Sequence, residues 1–298
     1  MIRAHPLSAE GLSQPALVLA GDALAQELAP SLGETVGRLP GVHSASFGPA
    51  VGRPVIHGLG GARVRVMEDR IDTMDASVAS GDHATTVEPF IADGIEVLKG
   101  ASTLLYGSGA IGGVVDVHTG RIPHEPAESL ASGRVLLRNQ SNGQGTTAAG
   151  RLDGGTGSVA WHLDAFTRDI DAYDIPGFAE SDRLRALERA EGEGGEDDEE
   201  ESGVAPGTDQ EASGGAFGLS WVSDRAFVGA AVSIYEAEYG LPGGHEHEEG
   251  EEEEEEEEGN PVLDMEQTRV DIEAGFEAPF SGVESLNVRI GVNDYEHV

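Results

Sequence analysis

The feature that most constrains this chain is a strict alternation of apolar and polar residues, which dominates positions 124–298. Trp161 and Leu163, for example, alternate with His162 and Asp164. The same period of two recurs in the runs 269–278 and 286–293. Successive side chains of a β-strand point to opposite faces, so this pattern predicts strands with one apolar and one polar face.

Roughly seven such strands of about ten residues are expected, the length that a tilted strand needs to cross a bilayer. Short turns between them alternate with two very long loops, 169–213 and 238–263. This asymmetry is typical of outer-membrane β-barrels. A soluble β-sandwich with its polar faces outward would show the same alternation, although loops of this length are unusual in a sandwich.

The charge balance excludes several classes of function. The 298 residues include 18 Lys+Arg and 55 Asp+Glu, a net charge of −37, and no cysteine. Such a chain lacks the basic surface that nucleic acid requires, and it lacks the cationic face of a helix that binds anionic lipid. Without cysteine there are no disulfides, cysteine zinc sites or thiol nucleophiles. No run of 18 apolar residues predicts a membrane-spanning helix.

Two low-complexity runs carry about half of the excess negative charge. Residues 191–201 hold eight acidic residues and residues 246–258 hold eleven. Like charges at this density repel one another and cannot bury apolar area. We therefore predict that both runs are disordered loops.

Residues 1–123 have a different pattern, typical of a small α+β domain. Residues 23–39 predict one or two short helices that end at Pro40. Short strands are predicted at Pro54–Ile56, Ala62–Met67, Gly94–Leu98 and Val114–His118. Residues 107–112 match G-x-G-x-x-G, but a strand-like run follows them where a dinucleotide site needs a helix. These glycines are therefore interpreted as turn residues.

The segment His245, Glu246, His247 and Glu248 is the first candidate metal site. A zinc peptidase motif would need a second histidine at position 249, which is Glu249, so a peptidase is rejected. Imidazole and carboxylate groups are nevertheless suited to Zn²⁺. The eight glutamates that follow would also concentrate cations within about one Debye length, ~8 Å. The alternative is a solvated acidic loop that binds no ion.

Asp82 and His83 form the second candidate. Asp82 could cap the N-terminus of a helix, or the two side chains could share a metal ion. His162 is expected to face the same watery side of its strand as Asp164, whereas His118 is interpreted as a structural residue. The sequence contains no catalytic motif, such as a G-x-S-x-G nucleophile elbow, so an enzyme is the weakest interpretation.

Several motifs in residues 38–118 together resemble the plug domain of TonB-dependent outer-membrane receptors. They are RLPGV at 38–42, RPVIHGL at 53–59, RVRVMED at 63–69, IEVLKG at 95–100 and LLYGSGAIGGVVDV at 104–117. Four positions depart from the usual family pattern: His57 stands where Arg is common, Arg70 where Gly is, Ala101 where Pro is, and Asp116 where Asn is. The resemblance covers residues 14–123 well and implies a plug seated in a barrel of about 22 strands. With about seven strands present, the chain resembles a fragment.

Within that family the chain is most similar to the zinc-uptake receptors. The similarity lies in the Asp82–His83 pair and in the His/Glu-rich loop through Glu258. It implies that Asp82 and His83 supply part of a tighter, outward-facing site, with further ligands from barrel strands. The loop would then be a low-affinity collector. It also implies a TonB-type energy-coupling partner that binds by strand addition, for which Gln14–Leu19 is a weak candidate.

The predicted fold is therefore an α+β plug domain, residues 1–123, followed by part of an antiparallel transmembrane β-barrel, residues 124–298. The expected function is TonB-dependent import of a transition metal, with zinc as the expected metal, across the outer membrane of a Gram-negative bacterium. No catalytic cofactor is expected; Zn²⁺ is the expected cargo, and lipid and the energy-coupling protein are the expected partners. The alternatives are a siderophore or haem receptor and a secreted acidic metal-binding protein.

Overall fold

The computed structural model describes residues 16–178, 180–191, 202–242 and 261–298. The N-terminal part holds two helices, α1 (Gly21–Glu27) and α2 (Leu32–Val36). Its seven strands are β1 (Ala16–Ala20), β2 (Val42–Ser46), β3 (Gly52–Ile56), β4 (Val64–Glu68), β5 (Ile71–Asp72), β6 (Gly94–Leu98) and β7 (Gly113–His118). The two short helices predicted within 23–39 are confirmed, although α2 ends at Val36, before the predicted end at Pro40. The four predicted strands are confirmed to within two residues at each end.

Five of these strands form a mixed sheet in the order β1-β6-β7-β4-β5, in which β4 and β7 are parallel. Strands β2 and β3 form a separate hairpin. The helices pack on the five-stranded sheet through a core that includes Leu24, Leu32, Ile95 and Val115. Ser31 caps the N-terminus of helix α2, because its hydroxyl accepts a hydrogen bond from the Glu34 amide.

The glycine motif at 107–112 shapes turns, as the sequence predicted. Gly107 has φ +85°, a left-handed conformation that favours glycine. A Cβ on Gly112 would lie 2.8 Å from the Leu59 Cβ and 2.9 Å from the Arg63 carbonyl oxygen. A short 3₁₀ turn, Ser108–Ala110, lies within the motif, and strand β7 follows it directly, so the helix of a dinucleotide site is missing here.

The C-terminal part is built around one antiparallel sheet of seven strands. They are β8 (Ser132–Asn139), β9 (Thr146–Thr156), β10 (Val159–Ile170), β13 (Gln210–Val222), β14 (Ala226–Gly240), β15 (Val262–Phe280) and β16 (Val283–His297). The seven strands lie in the sheet in the same order in which they follow one another along the chain, with β13 paired to β10. The long segment between β10 and β13 contains three elements that the sequence did not predict: β11 (Tyr173–Phe178), α3 (Asp182–Glu191) and β12 (Ser202–Ala205).

This sheet buries its polar face and exposes its apolar face. On β10, His162 and Asp164 are at most 3% exposed, whereas Leu163 between them is 45% exposed. Outward apolar residues with similar exposure include Leu219, Val232, Ile272 and Ile290. A soluble sandwich would bury these apolar side chains against a second sheet, so this arrangement confirms the barrel-type fold. The helices of the described ranges are too short or too polar to cross a membrane.

Buried ion pairs join the plug to the inner face of this sheet. Arg121 Nη1 lies 2.6 Å from Glu68 Oε1 on β4, and its Nε lies 3.0 Å from Asp164 Oδ2 on β10. Arg168 of β10 pairs with Glu88 of the plug. Burial raises the pKa of Glu68 above its usual value, although the Arg121 and Arg269 charges oppose this shift. These pairs hold the plug against strand β10 of the sheet.

Candidate metal centre

Asp82 and His83 lie in a plug loop that contacts the end of the seven-stranded sheet. His83 Nδ1 lies 2.8 Å from Asp82 Oδ1. No helix begins at Asp82, so the helix-cap interpretation is wrong. Asp75 is the residue that caps a short turn, because its carboxylate accepts a hydrogen bond from the Ser77 amide.

Asp82 holds the His83 ring in one orientation. Hydrogen bonds from the Ser80 hydroxyl and from His83 lower the pKa of Asp82 to about 2, so this carboxylate is ionised at neutral pH. With the imidazole proton on Nδ1, a carboxylate partner leaves the Nε2 lone pair free to bind a metal. His83 Nε2 is buried and has no hydrogen-bond partner among the described residues. A buried polar atom without a partner is costly in a folded protein.

The sheet surrounds this pair with polar and sulfur-containing side chains. The Tyr239 hydroxyl donates to the Asp82 carbonyl oxygen, 3.2 Å, and accepts from the Ala84 amide, 3.0 Å. The same hydroxyl lies 3.7 Å from the Met265 sulfur. The His297 ring lies edge-on to the His83 ring, with centroids 4.6 Å apart.

The sequence analysis missed Tyr239, Met265 and His297 as members of this cluster. A signal for His297 was present, because it shares the inward parity of Asn293 and Tyr295 on β16. What alternation could not provide is the register that sets His297 opposite Met265 on β15. It also could not show that the plug loop contacts this end of the sheet.

His245, Glu246, His247 and Glu248 lie outside the described residues. They belong to the stretch of chain that joins β14 to β15, the two strands that carry Tyr239 and Met265. The acidic run 246–258 lies outside the described residues too, as do residues 192–201 of the other acidic run.

A second cluster of metal-ligating groups lies inside the plug. It consists of Glu96, Asp116 and His118. Among the described residues, these three form the group of acidic and histidine side chains whose ligand atoms all lie within 4.8 Å of one another. Glu96 of β6 and Asp116 of β7 are paired across the sheet, and His118 follows two residues later on the same face. The sequence analysis had interpreted His118 as purely structural.

Comparison with known proteins identifies the N-terminal part. Residues 8–114 match the family model of the TonB-dependent receptor plug domain. A hemin receptor of Yersinia enterocolitica is 28% identical over 171 residues, which are 53% of this chain and 24% of that protein. The vitamin B12 transporter BtuB of Photobacterium profundum is 32% identical over 137 residues, 44% of this chain and 22% of that protein. The chain therefore spans about a quarter of the length of these curated relatives.

Solved structures show the same fold over nearly the whole chain. The copper transporter OprC matches with a TM-score of 0.69 and 14% identity, covering 95% of this chain and 37% of that one. The ferric yersiniabactin receptor FyuA of Yersinia pestis matches with a TM-score of 0.66 and 14% identity, covering 97% and 42%. The chain thus carries a plug domain with part of a barrel, and its homologues are TonB-dependent receptors. Its location, like theirs, is the outer membrane of a Gram-negative bacterium.

Proposed function

We propose that this chain, a homologue of TonB-dependent receptors, is part of an outer-membrane importer whose cargo is a transition-metal ion, specifically Zn²⁺. The observation that carries the proposal is the buried, unpartnered Nε2 of His83, in a ring that Asp82 holds and that His297 contacts edge-on. An imidazole nitrogen held in this way is a typical Zn²⁺ ligand with its outer-shell carboxylate.

The donor set around His83 favours a borderline metal over a hard one. His83 and His297 offer imidazole nitrogens, and the Met265 thioether is close to Tyr239 in the same cluster. Imidazole suits Zn²⁺, copper and nickel, whereas Mg²⁺ and Ca²⁺ prefer oxygen ligands. Copper is the competitor that a thioether would favour, so the binding test includes it.

In this proposal the segment His245–Glu248 and the glutamates after it collect the ion. Their negative charge raises the local cation concentration over about 8 Å at physiological salt. The ion then passes to His83, because this chain segment joins the two strands that border the His83 cluster. Deletion of residues 245–258 is expected to lower uptake at scarce zinc and to leave uptake at abundant zinc unchanged.

Release of the ion inward requires work on the plug. We assign this to a TonB-type protein that pulls the plug by strand addition. Within the segment Gln14–Leu19, residues Ala16–Leu19 belong to β1 and are already paired with β6. Strand β1 is an edge strand of the plug sheet, so a partner strand could pair with its other side or displace it.

Calorimetric titration of the receptor that contains this chain with Zn²⁺ tests the proposal. Asp82→Asn is expected to weaken tight binding by about 10- to 100-fold, the usual effect of losing an outer-shell carboxylate. His83→Gln is expected to abolish it. His43→Gln changes an exposed plug histidine on β2 and is the matched control. Unchanged tight Zn²⁺ binding in His83→Gln would refute the proposed cargo. A preference for copper over zinc that exceeds the general order of affinity of protein ligands for these metals would also refute it.

Haem is the second candidate cargo, because two hemin receptors are among the curated relatives. A haem receptor would use histidine as an axial ligand of the iron. Titration with hemin, followed through its Soret absorbance, separates the two possibilities. Tight hemin binding that is lost in His83→Gln, together with weak Zn²⁺ binding, would establish haem as the cargo.

A further inference from the structure

The Glu96–Asp116–His118 cluster, which the proposed function does not use, carries unsatisfied polar atoms in the interior of the plug. Glu96 is 1% exposed and Asp116 is fully buried. Glu96 Oε1, Asp116 Oδ2 and His118 Nε2 are all buried atoms without a hydrogen-bond partner among the described residues. Folded proteins rarely leave such groups unsatisfied unless a bound ion, a water molecule or a functional role accounts for them.

The three groups converge at distances suited to a shared ion. His118 Nε2 lies 3.5 Å from Glu96 Oε2 and 3.8 Å from Asp116 Oδ2, too far for good hydrogen bonds. Ligand atoms at ~2.0–2.2 Å from a tetrahedral Zn²⁺ stand about 3.3–3.6 Å apart. His118 Nε2 therefore already lies close to this spacing from one carboxylate oxygen of each partner, and the three residues offer ligand atoms that all lie within 4.8 Å of one another.

The local charge also calls for a cation. Asp69 Oδ1 lies 4.0 Å from His118 Nδ1, and Arg70 Nε lies 4.0 Å from Asp116 Oδ2. Three carboxylates and one guanidinium thus lie around the His118 ring, an environment that a bound cation would suit.

The cluster lies deeper than the His83 site along the same wall of the sheet. His83 lies beside His297, which pairs with Met265 on β15. Asp69, which lies beside His118, directly follows Glu68 in the chain. The carbonyl oxygen of Glu68 accepts a hydrogen bond from Arg269 Nη2, and Arg269 lies four residues after Met265 on β15. Four residues of strand extend about 13 Å at ~3.4 Å per residue. The His118 side chain retains 18% exposure, whereas its Nε2 atom is buried.

We propose that Glu96, Asp116 and His118 form a second, interior binding site for a divalent transition-metal ion, separate from the Asp82–His83 pair. Two carboxylates and one imidazole supply oxygen and nitrogen ligands, and water completes the shell. The site accounts for three neighbouring residues that each carry a buried polar atom without a hydrogen-bond partner among the described residues. Its use as a step in import rests on the proposed function, but its existence does not.

Anomalous diffraction at the zinc edge, from crystals of the wild-type receptor soaked in Zn²⁺ alone, tests the site without any variant. The expected result is an anomalous peak within about 2.2 Å of Glu96, Asp116 and His118. A map with a peak at His83 and none at this cluster overturns the interior site and leaves the proposed function standing. A peak at the cluster and none at His83 supports the interior site and overturns the proposed function.

Bound zinc measured after dialysis provides a second, quantitative test. Asp116→Asn/His118→Gln is expected to lower the zinc content by one equivalent per receptor. Asp82→Asn/His83→Gln is expected to remove a different equivalent, so that the quadruple variant loses two. Asp22 is an exposed residue of helix α1, and Asp22→Asn is the control, for which the zinc content should not change. If Asp116→Asn/His118→Gln folds and keeps the wild-type zinc content, the interior site is refuted.

Discussion

Removal of the Arg121 guanidinium should destabilise the seating of the plug more than any surface substitution. Arg121 is 7% exposed and contacts Glu68, 6% exposed, and Asp164, 3% exposed. Arg121→Met keeps most of the packing volume and leaves both buried carboxylates without this cation. Breaking a buried pair in this way costs about 3–5 kcal/mol.

The cost should fall near the lower end of that range, because each carboxylate keeps another partner. Asp164 Oδ2 still lies 2.8 Å from His162 Nε2, and Arg269 remains near Glu68. A loss of about 3 kcal/mol corresponds to a roughly 150-fold change in an opening equilibrium. Native-state hydrogen exchange of the β4 amides measures this equilibrium directly.

The loss should shrink in acid. Burial raises the pKa of Glu68, and Arg121 opposes this shift, so Arg121→Met raises the pKa of Glu68 further. A carboxyl whose pKa is higher in the folded state takes up a proton on folding, and its contribution to stability increases as the pH falls through the folded pKa. Protonation also removes the uncompensated charge, so the exchange difference between wild type and Arg121→Met should narrow below neutral pH.

The control is Arg38→Met, since Arg38 is an exposed arginine whose Nη1 lies 3.4 Å from Glu27 Oε2. Exposed pairs contribute about 0–1 kcal/mol, so protection of β4 should hardly change. Equal protection in wild type and Arg121→Met at neutral pH would refute the role given to this pair. A loss that is the same at every pH would refute the assignment to Glu68.

Three further predictions test other parts of the account. Val232→Arg, on the outward face of β14, should cost about 2–4 kcal/mol on folding into lipid vesicles, and no cost would contradict a lipid-facing surface. Gly112→Ala should lower plug stability by about 1–3 kcal/mol in denaturant unfolding, because its Cβ would meet Leu59. Release of Zn²⁺ from the Asp82–His83 site between pH 8 and pH 4 should proceed without protonation of Asp82, whose pKa is lowered to about 2; calorimetry in several buffers counts the protons.

Much of the fold was predictable because period-two alternation is a local signal. The alternation of Leu163 with its polar neighbours His162 and Asp164 shows which residues of β10 share the apolar face and which share the polar face, without any knowledge of the rest of the chain. The motifs of the plug likewise lie within short stretches of sequence. The elements β11, α3 and β12 were missed because they lie in a long segment that lacks sustained alternation.

The candidate sites were less predictable because their members are brought together by register and docking. Glu96 and Asp116 meet through the antiparallel pairing of β6 and β7. His83 meets His297 only because a plug loop reaches the end of β16, more than two hundred residues later. Sequence reasoning could propose Asp82 and His83 as a pair, since they are adjacent in the chain, but it could not identify the residues that face them.

Uptake of radioactive zinc by cells that express the full receptor tests the central claim most directly. At scarce zinc, the account predicts accumulation that depends on the receptor and on a functional TonB-type protein. Asp82→Asn/His83→Gln should lose this accumulation, while His43→Gln should keep it. Zinc accumulation that is equal with and without the receptor, in cells that the receptor does supply with haem or siderophore iron, would contradict the account.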